Sequence, residues 1–227
     1  MFRSRSLNSF KCLIIGAPGS GKGTISSRIN KDFSIKYISS GDLLRNNVAN
    51  KTELGIHASK FMNDGKLVPD SLITDLILSE IKKYKNENLL IDGYPRTVEQ
   101  AKVLDKEETI NCVINLDIPF QVIIDRLKKR WTHLASGRIY HLEFNPPRIS
   151  GLDDITGEPL EQRDDDKPAT IALRLENYQS LADPVLYHYR LQGVVTDFVG
   201  KYSNEIWPKV HQFLSSKLKP IQFTQYK

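Results

Sequence analysis

The stretch Leu13-Ile-Ile-Gly16-Ala-Pro-Gly19-Ser-Gly21-Lys22-Gly23-Thr24 decides how the chain is read. A short apolar run at residues 12–15 leads into closely spaced glycines and a lysine, and a helical pattern follows over residues 24–31. Glycines let successive backbone N–H groups turn inward around phosphate oxygens, and the N-terminus of a helix adds partial positive charge at the same point. The spacing fits the Gly-x4-Gly-Lys phosphate loop, whose lysine reaches the β- and γ-phosphates and whose following hydroxyl binds Mg2+. Here Gly23 intervenes, and the hydroxyl comes one place later at Thr24. A glycine-rich turn that binds nothing has no reason to combine strand, glycine spacing, lysine and helix. A nucleoside triphosphate is the expected ligand.

Working outward, residues 88–91 and 112–116 and the run from Val194 read as further buried strands. Helical patterns at residues 71–84, 119–130 and 170–191 separate them. Continuous apolar strands alternating with helices predict a parallel sheet covered on both faces. Two regions break the alternation. Residues 39–69 are polar and helical in pattern with no strand of their own. Residues 131–168 are rich in Gly, Pro, Asp and Thr, and read as a small β-rich insertion turning at Ser136-Gly137 and Thr156-Gly157. The expected architecture is a three-layer α/β P-loop fold. Its core comprises residues 1–38, 69–128 and 167–227, with insertions at 39–68 and 129–166. No internal repeat is present.

The composition narrows the class. Of 227 residues, 40% are apolar and 26% charged, the balance of a globular protein, which excludes disorder and collagen-like repeats. No apolar run approaches the length of a membrane span. Cys12 and Cys112, the only cysteines, each sit in an apolar run, which predicts buried thiols in a reducing compartment and excludes a disulfide framework. A net charge of +5 is spread along the chain, so no block of charge points to nucleic acid. The first acid is Asp32. Before it stand Arg3, Arg5, Lys11, Lys22, Arg28 and Lys31, with Ser4, Ser6 and Ser9. Such a start is similar to a mitochondrial targeting segment, and reads equally as a frayed terminus ahead of the first strand. A regulatory GTPase would need Asn-Lys-x-Asp late in the chain; Asn50-Lys51-Thr52-Glu53 is too early and ends in the wrong acid.

Four further segments follow in order: Ile38-Ser-Ser-Gly-Asp-Leu-Leu-Arg45, Gly65-Lys-Leu-Val-Pro-Asp70, Asp92-Gly-Tyr-Pro-Arg96 and Arg163-Asp-Asp-Asp166. With the phosphate loop, they resemble the adenylate kinase family in its long-lid form, from about Lys11 to Leu214. Trp131-Thr-His-Leu-Ala-Ser-Gly-Arg-Ile-Tyr140 and Ile206-Trp-Pro208 are most similar to that family's mitochondrial GTP:AMP phosphotransferase branch. The resemblance implies reversible transfer of a γ-phosphoryl group from a nucleoside triphosphate to AMP with Mg2+. GTP would be the favoured donor, ITP and ATP further donors, and the mitochondrial matrix the location. Physical chemistry supports the residue types independently. Joining two polyanions needs fixed positive charge and little water, and arginine forks grip phosphates bidentately without losing their charge.

Residue by residue, the resemblance assigns the donor phosphates to Lys22 and the amides of Gly19, Gly21, Gly23 and Thr24. Arg130 would close over the donor, with Tyr140 near its base and Ser203 bordering the pocket. Arg163 and Arg174 would bracket the transferring group. Arg45 and Arg96 would bind the AMP phosphate, while Ser40, Lys66, Leu67, Val68, Gly93 and Gln100 line its nucleoside pocket. Asp92, with Thr24, would orient hydrated Mg2+. Residues 39–68 then become an AMP-binding arm and 129–166 a lid.

Bacterial relatives often place four zinc-binding cysteines in the lid; the corresponding positions here are His133, Ser136, Asp153 and Thr156. Ser and Thr are poor zinc ligands, so a hydrogen-bonded polar cluster without zinc is expected. This chain departs from the family in Tyr94, where Phe is usual. It departs again in Lys201-Tyr202-Ser203, where the GTP branch is threonine-rich, and Trp131 stands where ATP-using relatives carry a second lid arginine. The expected protein is a monomer without nucleic-acid or membrane partners. Its rivals are an ATP-preferring adenylate kinase and a catalytically silent nucleotide sensor; a basic RNA-binding module has no base-stacking motif to support it.

Overall fold

The computed structural model describes residues 9–222 and 224. The arginines and serines of the targeting expectation, Arg3 to Ser6, lie outside them. Five parallel strands form the central sheet in the order β2-β3-β1-β4-β7. These are β1 (Lys11–Gly16), β2 (Lys36–Ser39), β3 (Leu89–Asp92), β4 (Cys112–Asp117) and β7 (Val195–Val199). β1 is central and buried along its whole length, pairing Leu13 with Ile91 on one side and with Val113 on the other.

Alternation along β1 builds the two outer layers. Cys12 and Ile14 face α1 (Lys22–Asp32) and α8 (Ser203–Ser215), joining Ile25, Ile29, Trp207 and Val210. Leu13 and Ile15 face the other way, toward Ile73 and Ile77 of α4 (Asp70–Lys83), Leu104 of α5 (Val98–Glu107) and Val185 of α7 (Pro168–Leu191). This is the three-layer parallel α/β fold expected from the sequence. The two thiols meet across the β1–β4 pair with their Sγ atoms 3.1 Å apart. Both are free and buried, and burial pushes the Cys12 thiol well above its usual range.

Two segments leave the layers. α2 (Ser40–Ala49) and α3 (Glu53–Asn63) form a helical arm, each opened by a side-chain cap: Ser39 accepts from Asp42 N–H at 3.2 Å and Thr52 from Gly55 N–H at 3.0 Å. After α6 (Phe120–Lys128), the short antiparallel pair β5 (Arg130–Thr132) and β6 (Ile139–His141) carries the second excursion. Gly137 and Gly157 close its two turns at φ +71° and +72°. Among the described residues no helix is long and apolar enough to cross a membrane.

Three details differ from the sequence reading. β2 was not anticipated; of Lys36-Tyr-Ile-Ser39 only Ile38 is buried, so it has no apolar run to announce it. α5 and α8 were not set apart, because α5 buries only Gln100, Ala101 and Leu104, and α8 holds Pro208 in its interior. The helical pattern drawn to residue 130 stops at Lys128, and Arg130 opens a lid strand instead.

Candidate active site

The turn from β1 into α1 depends on glycine. Gly21 has φ +97°, and a Cβ there would stand 2.8 Å from Ser203 Oγ; at Gly19 (φ +82°) one would stand 2.7 Å from Leu127 Cγ. Lys22, the first residue of α1, folds its Nζ back to donate to the carbonyls of Gly16 (2.7 Å) and Ala17 (3.1 Å). Burial lowers this amine to about 8; the neighbouring Asp92 works against the fall, and Arg96, Arg174 and Arg130 add to it. The Thr24 side chain is exposed at the mouth of the loop.

Lys22, Arg45, Arg96 and Arg174 line one deep cleft between the phosphate loop, the helical arm and α7. Arg130 and Arg163 press on its charges from the lid side. Arg130 forms a two-pronged ion pair with Asp166, its Nε 2.7 Å from Oδ2. Arg174 donates through Nη1 to the Asp165 carbonyl (2.8 Å) and lies 3.0 Å from the Asp165 carboxylate. Arg45 pairs with Asp42, and Arg96 Nε donates to the Gly93 carbonyl at 2.8 Å. The Arg96 head is open to the cleft yet has protein on every side, so burial still lowers its pKa. Arg163 stands apart: its Nε is buried with no partner among the described residues, and burial with repulsion from Arg45 and Arg130 pushes the group down to about 9. Buried cations short of acids are the electrostatic signature of a site that receives anions.

On the other flank, Ser40 Oγ donates to the Gly93 carbonyl at 2.7 Å. Gly93 has φ +77°, and a Cβ there would stand 2.5 Å from that oxygen. Gln100 is buried; its Oε1 accepts the Arg96 N–H at 2.7 Å and its Nε2 donates to Asp70 at 2.8 Å. Lys66, Leu67 and Val68 complete this wall, with Lys66 itself exposed and 3.3 Å from Asp64. Asp92, at the end of β3, is 8% exposed and takes the Tyr37 hydroxyl on Oδ2 at 2.8 Å.

The lid is down. A Cβ on Gly137 would lie 3.5 Å from Asp42 Oδ1 of the arm, and one on Gly23 would lie 3.5 Å from Ile139 of β6. Inside the lid, His133 bonds Ser136 Oγ at 2.7 Å through Nδ1 and Glu158 at 2.6 Å through Nε2, and Thr156 Oγ1 donates to Asp153 at 3.0 Å. Arg138 grips both oxygens of Asp153, at 2.8 and 2.6 Å. Tyr140 belongs to this network as well: its hydroxyl donates to Asp153 Oδ1 at 2.9 Å and accepts from the Asp154 N–H at 2.8 Å. That hydroxyl is committed within the lid, so it has nothing left to offer a donor base.

The site residues named from sequence thus gather around the cleft and its lid, Tyr140 facing inward. Several participants carried no motif. Arg126 of α6 braces the phosphate loop by donating to the carbonyls of Gly19 (3.4 Å), Ser20 (3.2 Å) and Lys201. Asp70 holds Gln100, and Arg138 and Glu158 complete the lid cluster. Arg126 follows α6's amphipathic pattern, as any surface arginine would, so only three-dimensional contact reveals it.

A family model described as "Adenylate kinase" matches residues 14–194. The chain is 48% identical over 209 residues to a Drosophila melanogaster protein named "GTP:AMP phosphotransferase, mitochondrial", a match covering 92% of this chain and 97% of that one. It is 41% identical over 221 residues to a Saccharomyces cerevisiae protein of the same name, covering 93% and 94%. With its fold, phosphate loop and arginine-lined cleft, this chain belongs to the adenylate kinase family.

Proposed function

We propose that this chain transfers the γ-phosphoryl group of a nucleoside triphosphate reversibly to AMP, yielding the nucleoside diphosphate and ADP, with GTP as favoured donor and ITP also accepted. One observation carries the reading: Lys22, Arg45, Arg96, Arg130, Arg163 and Arg174 face one cleft bounded by a phosphate loop and by the Gln100 wall. Two polyanions meeting end to end would neutralise that charge. The names of both relatives agree with this reaction.

The roles follow from the chain's own groups. Lys22 and the loop amides from Gly19 to Thr24 hold the donor phosphates, and Arg45 and Arg96 hold the AMP phosphate. Arg163 and Arg174 steady charge on the group in flight. The nucleophile is an ionised oxygen of AMP, so no general base is required. Residues 129–166 act as the lid that excludes water, 39–68 as the acceptor arm, and the remainder as the core. The oxygen donors near the loop suit hydrated Mg2+: Asp92 keeps one oxygen free of hydrogen bonds and Thr24 offers an exposed hydroxyl. When bound, Mg2+ would neutralise and align the β- and γ-phosphate oxygens. We place the protein in the mitochondrion, on the matrix side, and read it as a monomer. The relatives' names and the acid-poor start support the location.

A coupled assay of AMP phosphorylation with GTP, ITP and ATP side by side tests the reading. GTP and ITP should match or exceed ATP in kcat/KM. ATP ahead by ten-fold would instead make it an ATP-preferring adenylate kinase, and no transfer with any donor would make it a nucleotide sensor.

A further inference from the structure

His141 heads an aromatic row running from the lid to the core. Its ring stacks on Phe144 (centroids 4.5 Å apart, 29° between planes), and Phe144 meets Tyr202 at 5.6 Å. Tyr202 adjoins Ser203, whose Oγ lies against Gly21, while Arg126 ties the Lys201 carbonyl to those of Gly19 and Ser20. The row therefore stands beside the phosphate loop, and none of its rings lines the cleft that contains Gln100. Phe144 and Tyr202 remain 56% and 44% exposed, flat apolar surface suited to a base.

The hydrogen bonds of the imidazole fix its polarity. Nδ1 accepts the backbone N–H groups of Glu143 (3.1 Å) and Phe144 (3.2 Å), so in the neutral ring the proton sits on Nε2. Burial holds this histidine below its usual range; Glu143 pulls it upward, and Arg126 and Lys129 push it down. The ring is 9% exposed, and Nε2 is buried with no partner among the described residues. It is a fixed N–H donor left unsatisfied, next to aromatic surface, at the end of a phosphate cradle.

We infer that His141 is a specificity-determining residue for the donor, its Nε2–H reading the 6-oxo group of guanine or hypoxanthine. This rests on the donor reading above. A purine O6 accepts that hydrogen bond, whereas the adenine amine presents N–H against N–H and leaves both unpaired. Tyr140, one residue earlier, is excluded from the role because its hydroxyl is spent on Asp153 and Asp154.

The test compares kcat/KM for GTP and ATP, with AMP as acceptor, in wild type, His141→Phe and His141→Gln. The Phe ring keeps the stack and removes the donor; the Gln amide restores an N–H. The GTP:ATP ratio should fall at least about ten-fold in His141→Phe and recover in His141→Gln. A ratio that falls less than that in a folded His141→Phe enzyme overturns the proposal. Should His141→Phe fail to fold, wild type with purine riboside triphosphate, which lacks any 6-substituent, takes its place. Its kcat/KM should lie at least about ten-fold below that of ITP, and equal use overturns the proposal. A wild type that prefers ATP removes the GTP reading itself, and is thereby told apart from a failure of His141 alone.

Discussion

Asp166 neutralises Arg130 with both carboxylate oxygens while its side chain is only 1% exposed, and it also lies 3.4 Å from Arg174. A single acid thus restrains one cation from the lid and another from α7. In the empty enzyme this pairing limits the repulsion among arginines that substrate phosphates would otherwise relieve. Asp166→Asn should therefore lower the stability of the free enzyme by about 2–4 kcal/mol, because a charge pair mostly withdrawn from water loses one partner. Adding donor and AMP analogues should raise the melting temperature more in the variant than in wild type. Equal ligand-induced shifts would show that Asp166 does not stand in for phosphate.

Arg163 makes the opposite case. Its buried Nε has no partner, and Arg45 and Arg130 repel it. A group held this way costs the empty fold and acts where charge develops. Arg163→Ala should lower kcat by at least ~10²-fold while changing AMP affinity far less, and should leave the melting temperature undiminished. A kcat within a few-fold of wild type would remove Arg163 from the transfer step.

Legibility followed the chemistry of each feature. The phosphate loop and the buried strands β1, β3 and β4 were readable because backbone geometry and burial on both faces demand particular residue types in sequence. Arg45, Arg96 and Arg163 were readable as members of motifs. β2 was not, since three of its four residues are not buried. The partners Asp70, Arg126, Arg138 and Glu158 were not either. Each bonds a group at least 15 residues away, Arg138 to Asp153 being the nearest such pair, and no local pattern encodes a contact that only the fold creates. Tyr140 shows the converse: its position marked it as a ligand to the donor, while its hydroxyl is used up inside the lid.

Lys22 should register donor binding as proton uptake. Burial lowers its amine to about 8, so the free enzyme loses this proton as pH rises through that value. A lowered lysine destabilises the empty fold while charged, and that penalty disappears as pH climbs from about 8 toward the unfolded value near 10.4. Donor phosphates stabilise the charged form and raise its pKa again. Near pH 8.5, binding of a triphosphate should take up a fraction of a proton, and affinity should weaken as pH rises further. Calorimetry in two buffers of different ionisation enthalpy counts the protons. No uptake in wild type, or the same uptake in Lys22→Met, would contradict this.

The lid cluster should hold without metal and weaken in acid. Solvent does not reach the Asp153 carboxylate, yet the lid is thin, so hydrogen bonds outweigh burial there. Those from Arg138, Thr156 and Tyr140 hold Asp153 far below the usual carboxylate range, and His133 lowers Glu158. With folded values depressed, their stabilisation is present above the unfolded values near 4 and drains away as pH falls below about 5. Hydrogen exchange over residues 133–158 should accelerate in acid relative to the core, and Asp153→Asn should make it fast already at pH 7. Elemental analysis should find far less than one zinc per chain, with EDTA leaving the melting temperature unchanged. Stoichiometric zinc would replace the hydrogen-bond account.

Gln100 makes the acceptor pocket selective because its amide cannot turn over. The Arg96 N–H must meet its oxygen and the Asp70 carboxylate must meet its nitrogen, at 2.7 and 2.8 Å. A flip would oppose donor to donor and acceptor to acceptor at once. One N–H and one lone pair remain, in fixed positions, for a base. AMP offers an acceptor at N1 beside a donor amine; GMP offers N1–H beside O6 and meets the same amide with its pattern reversed. GMP should therefore be a poor acceptor with every donor. Asp70→Leu, which frees the amide to rotate, should raise the KM for AMP more than it lowers kcat and narrow the AMP:GMP ratio of kcat/KM by about ten-fold. Efficient GMP phosphorylation by wild type would place the acceptor base elsewhere, and an unchanged ratio in Asp70→Leu would mean that discrimination does not pass through Gln100.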